Sequence, residues 1–323
     1  MPRVFVTREI APEAIEILKS KAELTVWDED RAIPRDRLLA SVRGVDAILS
    51  LLTERIDDEL LAAAGPQLKI VANMAVGFDN FDVPAMTRRG VIGTNTPGVL
   101  TETTADFAFA LLMAVARFVP QGAEYVKGGR WKTWEPSLFV GQDIHHATIG
   151  IIGLGRIGLE VAKRAQGFDM RVIYHDQFRR PPEFEQEHRV EFRPLDELLA
   201  EADFVTVHVD LNEATRKLIN AERLRKMRST AYLINAARGP IVDTEALYEA
   251  LRSGQIAGAA LDVTDPEPLP ADHPLWRLAL AITPHHAGDS PQADERAVLF
   301  AVDQLGRFVR GEPLLNVVRN KSL

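Results

Sequence analysis

Ile149-Gly150-Ile151-Ile152-Gly153-Leu154-Gly155-Arg156-Ile157-Gly158 is the stretch on which the reading of this chain turns. Its apolar residues make a strand, Gly153-Leu154-Gly155 a tight turn, and Arg156 onward the start of a helix. Asp176 closes the next apolar run, 18 residues after Gly158. Strand, glycine turn, helix and downstream acid together form the dinucleotide-binding fingerprint, a far more specific signal than three spaced glycines. Gly153 permits the turn, Gly155 lets backbone approach a pyrophosphate, and Gly158 lets helix pack against strand. Backbone N–H groups at Arg156 and Ile157, on the positive end of that helix, meet the phosphates. Asp176 accepts hydrogen bonds from the adenosine ribose and repels a 2′-phosphate, which favours NAD (NADH). Arg179 and Arg180 follow closely and keep NADP possible.

The fingerprint sits near mid-chain, so an equally long segment precedes it. With 323 residues, two domains are the default. A composition 46% hydrophobic and 26% charged is globular. A net charge of −8 leaves no electrostatic footprint for nucleic acid. There are no cysteines, hence no disulfide, thiol nucleophile or cysteine-bound metal. Met1–Thr7 has no apolar core of signal-peptide length, and no uncharged run approaches a membrane span. A soluble, cytoplasmic protein with no membrane partner is the expectation.

Strand-like runs Val4–Val6, Leu24–Trp27, Ala47–Leu51 and Leu68–Ala72 alternate with helical pieces Pro12–Ser20, Leu38–Val42 and Asp57–Ala64. That is β-α alternation and a mostly parallel sheet, without a glycine fingerprint. A helix over Thr101–Phe118, with Thr101 as N-cap, is apolar nearly all round and so buried. The tryptophan- and glycine-bearing stretch Gly128–Gly141 reads as irregular. Strands then follow at Thr148–Ile152, Arg171–Tyr174, Phe204–His208, Ala231–Asn235, Ala257–Asp262 and Leu280–Thr283, enough for one Rossmann domain. A last helix, about Pro291–Arg310, lies beyond the sixth strand and returns the chain to the first domain. The expected fold is α/β: two Rossmann-like or flavodoxin-like domains with parallel sheets. Residues 101–288 form an NAD(P)-binding domain inserted into a discontinuous substrate-binding domain of residues 1–100 and 289–323. Two crossings suit a hinge and a cleft.

Three residues stand where this fold puts chemistry, beyond the carboxyl ends of strands. Arg238 follows Leu233-Ile234-Asn235, Glu267 follows the strand ending at Asp262, and His285 follows Ile282-Thr283-Pro284. Each alone has a plain structural reading, as a surface arginine, a loop charge or a packed histidine. Delivered together after three consecutive strands, they suit reduction of a 2-keto acid. The Arg fork holds the carboxylate and polarises the carbonyl. The histidine protonates the oxygen, and a paired carboxylate fixes its tautomer.

At this point the chain resembles the NAD(P)-dependent D-2-hydroxyacid dehydrogenases over nearly its whole length. The resemblance runs through Val76-Gly77-Phe78-Asp79-Asn80, Asn95-Thr96-Pro97-Gly98, Gly153–Gly158, Ile234-Asn235-Ala236-Ala237-Arg238-Gly239, Leu261–Pro270 and Thr283-Pro284-His285. Asp262–Pro270 with Asp272-His273-Pro274-Leu275 looks most like the glyoxylate/hydroxypyruvate reductase branch. It implies that Arg238, Glu267 and His285 are catalytic and that Val76 and Gly77 backbone, with Arg238, bind the substrate. Thr104 and Ala236 would lie at the cofactor, and Asp262 would bind its carboxamide. It also implies a homodimer built on the cofactor domain, with the Trp131–Gly141 loop reaching the partner. Leu138 and Phe139, beside Trp134, are read either as an apolar wall to a neighbouring active site or as part of a plain loop.

Departures from the family are His286-Ala287-Gly288-Asp289 after the catalytic histidine, and Asp210 in His208-Val209-Asp210-Leu211. His145-His146 and His285-His286 lack the spacing of metal ligands, so no metal is expected. Arg223, Arg225, Lys226 and Arg228 read as a solvated helix face. The expected activity is reduction of a small 2-keto acid, glyoxylate or hydroxypyruvate, to its 2-hydroxy acid. The alternatives are another substrate of the family (D-lactate, D-glycerate or a sugar acid) and an NADH-sensing co-repressor-like binding protein.

Overall fold

Strands and helices alternate from end to end of the computed structural model, which describes residues 1–278 and 280–319. First come β1 (Arg3–Val6), α1 (Pro12–Lys19), β2 (Glu23–Val26), α2 (Arg35–Ser41), β3 (Ala47–Ser50), α3 (Asp58–Ala64), β4 (Ile70–Asn73), α4 (Val83–Arg89) and β5 (Ile92–Thr94). Then follow α5 (Thr101–Ala116), α6 (Val119–Lys127), β6 (Thr148–Ile152), α7 (Arg156–Gln166), β7 (Arg171–His175), α8 (Pro182–His188) and β8 (Glu191–Phe192). Next are α9 (Leu195–Glu201), β9 (Phe204–Val207), α10 (Ala221–Leu224), β10 (Tyr232–Asn235), α11 (Thr244–Arg252), β11 (Gly258–Leu261) and β12 (Leu280–Ile282). The chain closes with α12 (Pro291–Arg310) and β13 (Val317–Val318).

Two units divide it: Met1–Leu100 with the segment from Ser290 onward, and Thr101–Asp289. Asp289 thus groups with the second unit, and residues 320–323 of the expected return segment lie outside the described residues. In the first unit the strand order is β13-β5-β4-β3-β1-β2, parallel except that β13 runs antiparallel to β5. Without β13 this is the flavodoxin-like order. Successive residues of its strands face opposite ways, and both faces are apolar. Val4, Val6, Ala47, Leu49, Ile70 and Ala72 pack with Ala14 and Leu18 of α1 and Val298, Ala301, Val302 and Leu305 of α12. Phe5, Ile48 and Val71 pack with Leu38, Leu60, Leu61 and Met86 of α2, α3 and α4. Buried on both sides, such strands read as continuous apolar runs.

In the second unit the order is β12-β11-β10-β9-β6-β7-β8, and all neighbours are parallel. Counted from β6 this is the Rossmann order with one strand added. Ile149 and Ile151 face the core made by α5 and α7, while Ile152 faces the opposite core with Leu198, Leu224 and Leu247. The direction of strand addition reverses between β6 and β9, and the fingerprint turn lies there, where such folds bind ligands.

The helix expected over Thr101–Phe118 is two helices, α5 and α6, which meet at 63°. Phe118, at φ 52°, makes the break. Thr101 is the first helical residue and not the cap before it. Among the described residues no single helix is long and apolar enough to cross a membrane.

Candidate active site

Two glycines of the fingerprint are required sterically, and the third leaves open space. Gly153 has φ +96°, and a Cβ there would sit 2.7 Å from the His208 carbonyl oxygen. At Gly158 a Cβ would lie 2.1 Å from the Gly153 carbonyl oxygen, so only glycine lets α7 approach the strand this closely. At Gly155 a Cβ would meet nothing within 4 Å. Gly155 is the N-cap of α7 and offers no side-chain cap, so the first-turn N–H groups are left for an incoming acceptor.

Asp176, just past β7, reaches back to this turn: its Oδ2 accepts from Leu154 N–H at 2.9 Å. Arg179 is held by Glu185 through two hydrogen bonds of 2.8 Å. That pairing, with the Tyr174 hydroxyl, keeps the Glu185 carboxyl below its usual range. Arg180 instead donates to the Leu154 carbonyl at 2.8 Å. Behind the turn, burial lowers the His208 imidazole to about 4, and Thr206 Oγ1 stands 2.8 Å from its Nε2. On α5, Thr104 is 4% exposed, and its buried hydroxyl has no partner among the described residues. Such a group is available to a ligand's polar atom. The uncapped helix end, the open space at Gly155 and the Thr104 hydroxyl all fit a nicotinamide dinucleotide.

The three reactive candidates stand on consecutive turns at one edge of the second sheet. His285 Nδ1 and Glu267 Oε1 are 2.6 Å apart, and the other Glu267 oxygen accepts from Thr264 N–H at 3.4 Å. With Nδ1 committed to the carboxylate, Nε2 is the ring nitrogen left to meet another group. Arg238 is extended, just after β10 and half-buried Ala236. Asn235, 1% exposed, holds this turn from both sides, donating to Arg238 O at 2.9 Å and accepting from Ala237 N–H at 3.1 Å. A Cβ on Gly239 would sit 1.9 Å from the Thr264 carbonyl oxygen. Glycine at that position therefore lets the arginine turn pack against the glutamate turn.

Asp262 organises the histidine turn. Its carboxylate accepts from Thr283 Oγ1 at 2.7 Å, His286 N–H at 3.0 Å and Ala287 N–H at 2.8 Å. Its carbonyl accepts from His285 N–H at 2.8 Å. His285 lies at φ 54°, a left-handed conformation that a non-glycine residue keeps only when its surroundings hold it there. Asp262 supplies that hold. His286 turns its ring edge-on to Phe107, centroids 4.6 Å apart, and its Nε2 is buried without a partner among the described residues. Burial raises the nearby Asp289 carboxyl, with the Asp262 charge adding to it and the two histidines opposing. Val76 and Gly77 belong to the first unit, on the turn after β4.

The supporting roles of Asn235 and Asp262 were not readable from spacing. Asn235 sits at a strand end before the arginine, a position that could have drawn attention, but its two bonds close only in three dimensions. Among the described residues no group of three or more His, Asp or Glu is placed to hold a metal ion.

Residues 109–287 match the sequence model of a family described as D-isomer specific 2-hydroxyacid dehydrogenase, NAD binding domain. A glyoxylate reductase of Korarchaeum cryptofilum is 48% identical over 99% of this chain and 96% of its own length. A glyoxylate reductase of Pyrococcus horikoshii is 49% identical over 96% of this chain and 94% of its own. The structure of a Thermus thermophilus protein superposes with a TM-score of 0.91 at 44% identity, covering 98% of this chain and 99% of that one.

Proposed function

This chain belongs to the D-isomer specific 2-hydroxyacid dehydrogenase family, and from that membership we propose that it reduces glyoxylate to the corresponding 2-hydroxy acid. The observation that carries the reading is the 2.6 Å His285–Glu267 pair, formed between the two turns that follow the Arg238 turn, in the unit that bears the dinucleotide fingerprint. A bound nicotinamide cofactor supplies the hydride that adds to the carbonyl carbon. Arg238 pairs with the substrate carboxylate and draws electron density onto the carbonyl oxygen. That oxygen takes its proton from His285 Nε2, and Glu267 holds the ring and balances the imidazolium charge beforehand. In oxidation the same nitrogen accepts the proton.

The remaining assignments follow the same reading. Backbone at Val76 and Gly77 binds the carboxylate. Gly153, Gly155, Arg156, Ile157 and Gly158 hold the pyrophosphate, and Asp176 the adenosine ribose. Thr104, Ala236 and Asp262 surround the nicotinamide. NADH is preferred over NADPH, because Asp176 opposes a 2′-phosphate while Arg179 is already engaged by Glu185. Hydroxypyruvate is a second substrate. We also propose a homodimer, in which the exposed Trp131, Trp134 and Val140 and the exposed Val119 and Val126 of α6 are covered by a second copy.

Initial rates with glyoxylate, hydroxypyruvate and pyruvate, each with NADH and with NADPH, test the assignment. Glyoxylate with NADH is expected to give the highest kcat/KM. No turnover of any of the three overturns the reading, and faster use of NADPH removes Asp176 from its assigned role. Sedimentation of the wild type as a monomer would remove the dimer.

A further inference from the structure

The turn after β4 is held by donors on its inner side at three successive carbonyls. Ala75 O accepts from Thr96 N–H at 2.9 Å. Val76 O accepts from the Asn95 side-chain amide at 2.7 Å. Gly77 O accepts from the Asn73 side-chain amide at 3.0 Å. In a trans peptide the C=O and the following N–H point in opposite directions. Pinning the carbonyls of Ala75, Val76 and Gly77 therefore also fixes the N–H groups of Val76, Gly77 and Phe78, each directed away from its donor. Among the described residues none of these three amides donates to another protein group. The first two face away from the Asn95–Thr96 segment, as a concave, anion-receiving stretch of backbone requires.

The two asparagines are themselves fixed. Asn73, 1% exposed, accepts from Ser50 Oγ at 3.0 Å and shares its amide with Asn80 Oδ1 at 3.2 Å. Asn80 in turn donates to Leu51 O at 3.1 Å and Glu54 O at 3.0 Å. Glu54, 2% exposed, accepts from Thr7 Oγ1 at 2.6 Å and Leu51 N–H at 2.8 Å. The network thus runs back to the ends of β1 and β3, where strand order in the first sheet reverses. This is that sheet's own ligand crevice by the general rule for doubly wound folds.

We propose that Asn95 and Asn73 are positioning residues that aim the amides of residues 76–78 at the carboxylate of the substrate; this rests on the glyoxylate-reductase reading. Asn95 is the more testable of the two, because its side chain alone orients the Gly77 N–H. Neither residue touches the substrate. Each acts through a peptide plane whose far side does.

Oxalate, a carboxylate probe that cannot be reduced, is titrated calorimetrically into the NADH-loaded enzyme, in parallel with glyoxylate kinetics. Loss of one orienting hydrogen bond in Asn95→Ala is expected to weaken oxalate binding and raise KM for glyoxylate, both about tenfold. Because the bond serves ground and transition states alike, kcat is expected to stay within about threefold. Asn95→Asp, isosteric but without the amide donor, loses at least as much, and Asn95→Ser, a shorter donor, recovers part. NADH affinity is unchanged in all three. Turnover of methylglyoxal, which has no carboxylate, is unaffected, so discrimination in favour of the acid falls. Oxalate affinity equal to wild type in Asn95→Ala and Asn95→Asp overturns the proposal, as does equal loss towards glyoxylate and methylglyoxal. Should Asn95→Ala not fold, Asn95→Ser carries the same comparison. A wild type that binds oxalate yet turns over no glyoxylate overturns the functional reading and leaves the titration to decide the turn. A wild type that binds no oxalate overturns the turn as well.

Discussion

His285 combines two properties: a carboxylate on Nδ1 and a left-handed backbone. The first keeps the ring in one tautomer, and the second aims it. His285→Ala should therefore lower kcat by about 10²–10⁴ while the NADH dissociation constant stays put. Full activity in that variant would remove the histidine from the chemistry. His208 supports a prediction of another kind. Its folded-state pKa is lowered by burial from 6.5 to about 4, so the unfolded chain takes up a proton that the folded one refuses. The stability at stake is complete above about 6.5 and is lost as pH falls towards 4. His208→Asn is expected to show a shallower fall of Tm over that window than wild type; parallel curves would contradict it. The candidate trio was readable in the sequence because Arg, Glu and His each follow a recognisable strand. Asn235 and the clamp formed by Asp262 were not, because their partners lie far along the chain or on backbone atoms that no pattern of residue types reveals.

Among elements, the central strands were the most legible. Runs such as Ile149–Ile152 and Tyr232–Asn235 are apolar on both faces and too short for helices. What escaped was short, polar or peripheral. β8 and β13 have two residues each, too few for any period, and β13 exists only because it pairs with β5. α8 is Pro-Glu-Phe-Glu-Gln-Glu-His with no buried residue, so it carries no apolar stripe. α6 also buries none, and it was hidden behind the apolar run of α5. Contact between elements makes glycine necessary where two turns meet. Gly239→Ala forces a methyl group against the Thr264 carbonyl and should cost about 1–3 kcal/mol. At roughly 2–4 °C per kcal/mol, the loss is visible in a thermal melt. An unchanged Tm would mean that the arginine and glutamate turns are free to separate.

At the scale of the molecule there are two doubly wound sheets, each with helices on both faces and its own pair of apolar cores. Calorimetry is therefore expected to resolve two unfolding transitions. Saturating NADH should raise only the one belonging to Thr101–Asp289, by about 2.7 kcal/mol at a hundred times the dissociation constant. A single transition that moves as a whole would show that the units do not unfold separately. The division of the first unit into two separated stretches also bears on synthesis. The second unit is one continuous stretch, and it can fold as soon as it leaves the ribosome. The first cannot, because Val298, Ala301, Val302 and Leu305 of α12 complete the face begun by Val4 and Val6. That sheet must wait with one side bare while the whole intervening unit is translated, on the order of 10–40 s at usual elongation rates. Until α12 has emerged that face stays bare, and truncations near residue 298 should be far less soluble than truncations after Arg310.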